Sequence, residues 1–527
     1  MKTKKRTVAI FAVLLVFCFI STGWAATYYV SPGGNDSNPG TTPETPFKTI
    51  QSAAYKAIAG DTVFIMAGTY NERVKTWNSG TSDKYITFTG NKSAIINTGF
   101  DIKHSYIKIN NLTIRGDGLT ALGYVIIVNG GNNCEISNNI IEYTVPDGIA
   151  VNIGGYRLMP NTSYITIKNN TIRNLRWYVN YIDGHHHVID NNKIIGRGSL
   201  LAPGDNDVFL VWGHDHIISR NEVSGFKAGT LHLDMIQSRV SPAYNILVDS
   251  NFFHDTGGAI CMLNAPGIDS RDWTFRNNVY YKVTGNSTIG FPRVFFYNNT
   301  FYQVSFTTVL SFRDDPLDPK YRGSDGVALN NLFIGCGGQI SNGWATGASI
   351  SDYNYVTHGD SFQAKKGFAE AHGINGGDPK FVDAANMYLQ LKPDSPAKYK
   401  GRLSPGIVDY DIASMRRPAD FISMGAYEYS QFLILPPGAT TSTIPKTTVT
   451  PPPPPPPTPT VTAPPPPPPP TVTAPPPTVT APPPPPTVTV TTPPPPPTPT
   501  VTAPPTTTTP TTTTKTTRTT KQRIWNR

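Results

Sequence analysis

The stretches Tyr164-Ile-Thr-Ile-Lys-Asn-Asn-Thr-Ile172 and Pro292-Arg-Val-Phe-Phe-Tyr-Asn-Asn-Thr-Phe301 are two copies of one phrase that recurs along the middle of the chain. Apolar and polar residues alternate up to an Asn, and an apolar strand-forming residue follows that Asn at once or after one residue. Alternation with a period of two predicts a β-strand with one buried face. Nine such Asn residues recur at spacings of 21 to 32 residues: Asn111, Asn139, Asn170, Asn192, Asn221, Asn251, Asn278, Asn299 and Asn331.

The length of this repeat predicts the fold class. Self-similarity at such a period indicates stacked supersecondary units, and short strands of this kind stack most economically as a right-handed parallel β-helix. We expect an all-β domain of about ten coils. The marker Asn residues should lie at a corner of each coil, because Asn tolerates left-handed backbone angles and its amide can hydrogen-bond to the coils above and below.

Both ends of the chain differ in composition from the middle. Residues 1–25 combine a basic start, an apolar run from Val8 to Ile20 and a small-residue cleavage site at Ala25, which predicts a signal peptide. Residues 26–432 have the composition of a folded β-helix domain, whereas residues 433–527 become almost entirely Pro, Thr, Val and Ala. Such a tail predicts a disordered, extended linker or stalk.

These ends predict the location of the protein. We expect a secreted or cell-surface protein with no membrane-spanning segment in the mature chain. The tail could attach it to a cell wall or cell surface. Three cysteines follow the signal peptide, namely Cys134, Cys261 and Cys336. Their odd number and apolar surroundings predict buried free thiols rather than disulfides.

The net charge of +9 does not indicate a nucleic-acid partner. Four of the 44 Lys and Arg residues lie in the signal peptide and six lie after residue 440, which leaves 34 positive against 35 negative charges in the body. A near-neutral body lacks the basic surface that nucleic-acid binding requires.

A short helix is predicted near the start of the body. One helical face collects apolar residues, and Thr45 and Pro46 stand at positions suited to a helix start: Ile50, Ala53, Ala54, Ala57 and Ile58. A helix here would cover the first coil, whose uncovered strand edges would otherwise promote aggregation.

The opening and closing phrases of the body resemble a known family. The opening runs Tyr28-Tyr-Val-Ser-Pro-Gly-Gly-Asn-Asp-Ser-Asn-Pro-Gly40, and the closing phrase runs Arg417-Pro-Ala-Asp-Phe-Ile-Ser-Met-Gly-Ala-Tyr-Glu-Tyr429. With the coils, they resemble exported right-handed β-helix proteins of the family 9 polysaccharide lyase type and their uncharacterised relatives, over about residues 27 to 430. The resemblance implies the fold and a carbohydrate substrate. It is weaker for chemistry, because this fold carries several activities.

Two consecutive coils depart from plain alternation, and we place the candidate site there. Counting from the Asn markers puts Asp207 on a strand next to the one that carries His232 and Asp234, about 4.8 Å away. We expect the three side chains to meet on an exposed face. The predicted catalytic residues are His232, Asp234, Asp207, His214 and Lys227, and the predicted substrate-binding residues are Gln237, Trp212 and Arg239. Asp205, Asp207 and Asp234 form a candidate Ca²⁺ site, because calcium prefers oxygen ligands.

Two further patterns are part of this interpretation. The site phrases resemble a pair found in exported β-helix proteins, Asp-x-Phe-Arg followed by His-x-Asp-x-x-Gln, with Leu210 where that pattern often has Arg. The triplet His185-His186-His187 is interpreted as a solvated turn, because adjacent strand residues point to opposite faces.

Four functions suit such a site, and we expect a monomer acting on a polysaccharide. The first is a polysaccharide lyase that cleaves a uronate-containing polymer by β-elimination, with His232 or Lys227 as the base. The second is a glycoside hydrolase with Asp207 and Asp234 as the acid and base pair. A C5 epimerase would use nearly the same groups as the lyase. A non-catalytic surface adhesin that binds polysaccharide is the fourth, and the stalk favours it.

Overall fold

Three parallel sheets surround one core in the computed structural model, and the chain passes from the first to the second to the third sheet as it winds. The structure describes residues 25–431 except 118, 120–122, 143–147, 154–161, 176–179, 197–204, 228–231, 265–268, 306–308, 313–322, 324, 338–339, 342–349 and 358–369. The predicted parallel β-helix is therefore confirmed. The chain divides into residues 1–444 and 445–527, and the signal-peptide and stalk predictions lie almost wholly outside the described residues.

Each sheet takes one strand from successive coils. The strands of the first sheet are Thr27–Val30, Thr62–Ile65, Ile86–Gly90, Ile107–Asn110, Glu135–Ser137, Thr166–Lys168, Val188–Asp190, Ile217–Ser219, Ala243–Asp249, Arg271–Arg276, Val294–Tyr297, Val327–Leu329 and Ile350–Asp352, with Gly213–His214 paired beside Ala243–Asp249. The strands of the second sheet are Gly68–Tyr70, Ala94–Ile96, Thr113–Arg115, Ile140–Glu142, Thr171–Leu175, Lys193–Gly196, Glu222–Ser224, Phe252–His254, Val279–Tyr281, Thr300–Tyr302, Leu332–Ile334, Tyr355–Val356 and Ile374–Asn375. The strands of the third sheet are Val74–Lys75, Phe100–Ile102, Gly123–Val128, Gly148–Ile153, Asn180–Ile182, Asp205–Val211, His232–Ser238, Cys261–Leu263 and Ser287–Ile289.

Smaller elements complete the fold. Two short strand pairs, a helix and a 3-10 helix are described: Leu310–Ser311 with Ile340–Ser341, Phe381–Asp383 with Tyr388–Leu391, Ile50–Lys56 and Ala384–Asn386. None of the helices in the described part of the chain has the length and apolar character needed to cross a membrane. The first sheet has thirteen successive levels, more than the ten coils expected, because the first coils carry no Asn marker.

The core consists of columns of like residues. One column on the first sheet stacks isoleucines from successive coils, all fully buried: Ile109, Ile136, Ile167, Ile189 and Ile218. Another, on the second sheet, stacks aromatic rings 4.8 to 5.0 Å apart: Phe253, Tyr280, Phe301 and Phe333. Since neighbouring strands are about 4.8 Å apart, in-register pairing brings identical positions into van der Waals contact. Burial of these columns stabilises the stack.

A ladder of nine buried asparagines runs along the corner between the first and second sheets. Each amide nitrogen donates to the side-chain oxygen of the next Asn at 2.9 to 3.1 Å. The same oxygen accepts a backbone N–H from the coil before it. The members are Asn139, Asn170, Asn192, Asn221, Asn251, Asn278, Asn299, Asn331 and Asn354. Bonding between coils is confirmed, with Asn354 as an added member.

The predicted left-handed angle at the marker Asn is wrong for eight of the nine markers. The left-handed residue is the one before the ladder position, such as Asn169 or Arg220. Asn111 is left-handed, with a φ of 58°, and Leu112 takes the ladder position beside it, because the backbone N–H of Leu112 donates to Asn139. The exposed corner residue turns the chain, and the buried amide after it bonds the coils.

The helix Ile50–Lys56 lies where the sequence predicts, but its cap differs. Thr49, not Thr45 or Pro46, is the N-cap residue, and its hydroxyl accepts the Ser52 backbone N–H. The Glu72 carboxylate accepts two further N–H groups of the first turn. Ile58 is 61% exposed and follows the helix end. The helix buries Ile50, Ala53 and Ala54, as expected for a cover over the first coil.

The three cysteines are buried free thiols, as predicted. Burial raises the pKa of Cys134 and Cys336 to about 12. It also raises the pKa of Cys261 well above its ordinary value, with the nearby Asp234 charge adding to the effect. These thiols stay protonated and unreactive at neutral pH.

Candidate functional site

The two strands predicted to carry the site are neighbours in the third sheet. In the register of Asp205–Val211 with His232–Ser238, Asp207 lies opposite Asp234, and Leu210 lies opposite Gln237. The placement of Asp207 beside Asp234 by counting from the Asn markers is therefore correct. Side-chain ligand atoms of Asp207, His232 and Asp234 all lie within 4.8 Å of one another.

Both strands bend immediately after these aspartates. Val208 and Phe209 are consecutive residues in the core, and so are Met235 and Ile236. Strict alternation places only every second residue of a strand inside, so the strand bends between the two buried residues. Asp207, which shares parity with Phe209, therefore leaves the core face at this point. This bend is the departure from plain alternation seen in the sequence of both coils.

The expectation of an exposed face is wrong for the carboxylates. Asp207 is 1% exposed and Asp234 is 0% exposed, while the His232 side chain is 43% exposed. His232 Nε2 lies 3.5 Å from Asp234 Oδ2. Gln237, itself fully buried, donates from Nε2 to the same oxygen at 2.8 Å. Asp234 is thus fixed by Gln237 on one side and faces the exposed imidazole on the other.

An open pocket of about 550 Å³ lies beside the start of the His232–Ser238 strand. His232 and Asp234 contribute to its wall. Three further charged residues line the same pocket: Lys227, Asp255 and Lys282. Contact with the Tyr281 hydroxyl raises the pKa of Lys282, which keeps its ammonium group charged. The pocket therefore joins two lysine side chains to a buried acid and an exposed imidazole.

Glycines keep the pocket open. A Cβ on Gly285 would lie 1.9 Å from the Gly258 carbonyl oxygen, and Gly258 has a φ of +102°. No other residue fits at Gly285 without displacing the preceding coil. The close approach of the two backbones shapes the pocket wall beside Asp234.

Sequence reasoning missed Lys282 and Asp255. His254 and Tyr281, the residues just before Asp255 and Lys282, pair with each other across two successive coils. Asp255 and Lys282 therefore occupy equivalent corner positions, and both have left-handed backbone angles. A sequence pattern marks both positions, because a Thr-Gly pair follows each of them within two residues, at 256–257 and at 284–285.

The other predicted site residues are spread along the strands. Lys227 lines the pocket. Trp212 is 1% exposed, packs against Tyr181 and Leu210, and donates its indole N–H to the Arg239 carbonyl oxygen at 2.6 Å. This packing leaves Trp212 no free ring face for a sugar, so we omit Trp212 from the proposed site. The role of the Arg239 side chain in substrate binding stays a prediction. The Asp205 side chain lies outside the described residues.

His214 lies at the far end of the Asp205–Val211 strand, past the corner at Trp212. Its ring stacks on His185 at 5.2 Å and on Tyr244 at 4.8 Å, not on His232 or Asp234. The solvated-turn interpretation of the histidine triplet is wrong for His187, which is fully buried and stacks on His216. Burial lowers the pKa of His187 to about 3.

The described donors of the pocket do not complete a calcium site. Calcium takes six to eight oxygen ligands, whereas the cluster offers the carboxylates of Asp207 and Asp234 together with the imidazole of His232. We therefore assign no reaction step to a metal ion.

Comparisons with known proteins agree with this architecture. Residues 28–209 match the family model described as the Pel9A-like, right-handed beta helix region. The uncharacterized protein YwoF of Bacillus subtilis (strain 168) is 33% identical over 174 residues, which are 31% of this chain and 33% of that protein. The match thus spans about a third of this relative's length.

Two solved structures are similar to this chain at low sequence identity. The complex of XylC with xylose superposes with a TM-score of 0.50 at 14% identity, covering 76% of this chain and 98% of that chain. The pectate lyase Pel9A gives a TM-score of 0.45 at 14% identity, covering 77% and 97% of the respective chains. The fold is a right-handed parallel β-helix, and its residues 28–209 match the Pel9A-like model.

Proposed function

We propose that this protein is a polysaccharide lyase that cleaves a uronate-containing polymer by β-elimination. The observation that carries the proposal is the pocket in which Lys227 and Lys282 accompany His232, with the buried Asp234 carboxylate 3.5 Å from its imidazole. An anionic sugar needs cationic partners for its carboxylate, and elimination needs a base beside them.

His232 is the proposed base. Its imidazole removes the proton from the carbon that bears the uronate carboxylate, the electron pair forms a carbon–carbon double bond, and the adjacent glycosidic carbon–oxygen bond breaks. The leaving oxygen takes a proton from the imidazolium or from water. Asp234 stabilises the imidazolium by its charge and holds the ring direction, and Gln237 fixes Asp234 in turn.

Lys227 and Lys282 are the proposed partners of the substrate carboxylate. Removing the proton next to a carboxylate places further negative charge on that group, so nearby ammonium groups stabilise the transition state more than the ground state. Lys227 is the second candidate for the base, as the sequence suggests. A shallow groove along stacked coils would accommodate neighbouring sugar units of an extended polymer.

The first test is incubation of the full chain with pectate, alginate and neutral glycans. We expect ultraviolet absorbance of an unsaturated uronide with one acidic polymer and none with the neutral glycans. His232→Ala should lower the rate on the order of a hundredfold or more, because it removes the base. His372→Ala is the matched control, since His372 is also exposed and pairs with an aspartate, Asp352, at 2.9 Å.

Comparing the two variants tests which residue is the base. If His232→Ala keeps full elimination activity and Lys227→Ala loses it, the base is Lys227. No unsaturated product on any uronate polymer would overturn the lyase proposal. Loss of activity in the presence of a chelator, restored by Ca²⁺, would support the calcium prediction made from the sequence.

A glycoside hydrolase is the second candidate. The carboxylates of Asp207 and Asp234 lie in one cluster, and retaining enzymes use two carboxyl groups about 5–5.5 Å apart. Asp234 lines the described pocket together with Asp255. Reducing sugar released without ultraviolet absorbance would favour hydrolysis over elimination. Polymer binding with no product would favour the adhesin, and a changed uronate without chain cleavage would favour the epimerase.

Export is proposed on the composition of the two ends. The basic start followed by an apolar run is typical of a signal peptide, and the Pro/Thr-rich tail is typical of a stalk. Expression of the full chain in a secreting host, followed by sequencing of the mature N-terminus, tests this. A secreted product that begins near Ala25 is expected, and a product retained in the cell with Met1 intact would contradict it.

A further inference from the structure

A second cluster of metal-ligating side chains lies at the corner between the third and first sheets. Two columns cross this corner on successive coils. The first contains His185 and His214, which form a bridge, and Tyr244 follows His214 one coil on. The second contains the residues that come next in the chain, His186 and Asp215, both with left-handed backbone angles. Because both residues turn the chain at the same corner, His186 of one coil lies beside Asp215 of the next.

Three ligand atoms converge at this corner. His186 Nε2 lies 3.7 Å from Asp215 Oδ2, and His214 Nδ1 lies 2.6 Å from the same oxygen. Donors bound to one tetrahedral zinc ion at about 2.0–2.1 Å lie roughly 3.3 Å apart. An ion among these atoms therefore needs the His186–Asp215 pair to close by about 0.4 Å and the His214–Asp215 pair to open by about 0.7 Å. The ligand atoms of all three side chains lie within 4.8 Å of one another, so rotation about the side-chain bonds can bring the two imidazole nitrogens to the distance that an ion requires.

Surrounding groups hold the three donors in place. His185 Nδ1 lies 2.9 Å from His186 Nδ1, which engages the ring nitrogen of His186 that does not face Asp215. Asn245 donates its amide N–H to the second oxygen of Asp215. The His214 ring is sandwiched between His185 and Tyr244. Outer partners of this kind orient metal ligands and fix the imidazole tautomer.

We propose that His186, His214 and Asp215 bind a divalent transition-metal ion of the zinc class. Two imidazole nitrogens and one carboxylate oxygen suit zinc and its neighbours, whereas calcium would require oxygen ligands. The three side chains are partly exposed, so an ion can enter from solvent. Three protein donors leave a tetrahedral ion one position for water.

The ion joins two successive coils. His186 and Asp215 are 29 residues apart in the chain but adjacent in space, so ligation adds a bond between coils on the outside of the stack. Binding to the folded state alone raises stability with metal concentration. This site is separate from the proposed catalytic pocket, because His214 lies past the Trp212 corner and not among the pocket residues.

Calorimetric titration of the full chain with zinc chloride, after chelator treatment and dialysis, tests the proposal. We expect one zinc ion bound at this site and a higher melting temperature with zinc. His186→Ala and Asp215→Asn should each weaken binding on the order of a hundredfold. The matched control is His254→Ala, because His254 and Asp255 form the same neighbouring His–Asp contact, at 3.0 Å, without a second imidazole.

Asp234→Asn separates this site from the pocket cluster. If the pocket also binds zinc, that variant loses one ion and keeps the corner ion. Zinc binding that is unchanged in His186→Ala, or lost equally in His254→Ala, would overturn the proposal. Circular dichroism of each variant without metal excludes misfolding as the cause. Because the readout is metal binding, its outcome is independent of whether the protein is a lyase.

Discussion

Two columns of buried polar groups differ in what they bring into contact. In the asparagine ladder each amide both donates and accepts, so each coil satisfies the next, as Asn221 and Asn251 do at 3.0 Å. In the third sheet, Asp207 lies opposite Asp234, and both carboxylates are buried. Stacking by coil geometry is the same in both places, but two acidic groups replace complementary amides.

The two columns differ in their electrostatics. A satisfied hydrogen-bond network in a low-dielectric interior stabilises the fold. Burial and a neighbouring carboxylate each disfavour the ionised form of a carboxyl group. Asp234 also lines the pocket beside His232, so we treat this pair as a functional-site candidate.

The largest expected effect on stability comes from breaking the ladder. Asn251→Ala removes the acceptor of the Asn221 backbone N–H and amide, and the donor to the Ile218 carbonyl. Buried groups left without partners each cost about 1–3 kcal/mol, so the free energy of unfolding should fall by about 3 kcal/mol or more. Denaturant unfolding measures it.

Asn110→Ala is the control for that substitution. Asn110 is partly exposed and makes one side-chain bond, to Ser137 at 3.2 Å, so the loss should stay below about 1 kcal/mol. Equal losses in the two variants would remove the distinction between ladder amides and other amides.

The next effect concerns the charge of the pocket. Lys282→Ala should raise KM for the uronate polymer about fivefold, because an exposed ammonium group contributes up to about 1 kcal/mol. The effect should shrink at high salt. Lys193→Ala is the control, since Lys193 pairs with Glu222 at 2.7 Å and does not line the pocket. An unchanged KM in Lys282→Ala would remove this residue from substrate binding.

A smaller, pH-dependent effect is expected beside the pocket. Burial lowers the pKa of His254, but hydrogen bonds to Glu222 and Asp255 outweigh it and raise the pKa above 6.5. Burial raises the pKa of Glu222, but hydrogen bonds from His254 and Lys193 outweigh it and hold the pKa below 4.5. The histidine's contribution to stability is full below pH 6.5 and lost as pH rises through its folded pKa. The glutamate's contribution is full above pH 4.5 and lost as pH falls through its folded pKa.

The pair should therefore stabilise the fold most between pH 4.5 and 6.5. His254→Ala should cost about 1 kcal/mol in this window and less at about pH 9. Unfolding curves of both proteins at about pH 5.5 and about pH 9 measure this. If the cost of His254→Ala instead grows toward alkaline pH, the pair of His254 and Glu222 is not the source of the stabilisation.

The smallest effect is expected at the thiols. Cys134, Cys261 and Cys336 are buried with raised pKa values, so an alkylating reagent should label none of them in the native protein at neutral pH. Labelling should be complete after unfolding. Rapid labelling of Cys261 in the native protein would mean that the core near Asp234 opens, and would contradict the burial of this thiol.

The repeat made much of this predictable. Asn markers measure residues per coil, so counting from Asn192 and Asn221 predicted that the strands of Asp207 and Asp234 are neighbours. The structure confirms this and places the two residues opposite each other. The count does not report side-chain burial, which depends on the bend after each aspartate. For that reason, the sequence predicted the encounter but placed the carboxylates on an exposed face.

Other features depend on local geometry that a pattern does not carry. Lys282 reaches the pocket because its coil corner lies one level beyond that of Asp255. Asn354 joins the ladder from a phrase, Tyr353-Asn354-Tyr355, that lacks the usual Asn pair. The corner after His186 turns His187 into the core, so three adjacent histidines have different environments.

We propose that the Asp207–Asp234 pair serves the chemistry of the site and that the ladder serves stability. The most direct test measures both properties in Asp234→Asn, an isosteric change that removes one of two adjacent charges. We predict that elimination activity on the uronate polymer is lost while the free energy of unfolding stays within about 1 kcal/mol of the parent or rises. Retained activity together with a loss of stability like that of Asn251→Ala would contradict the account.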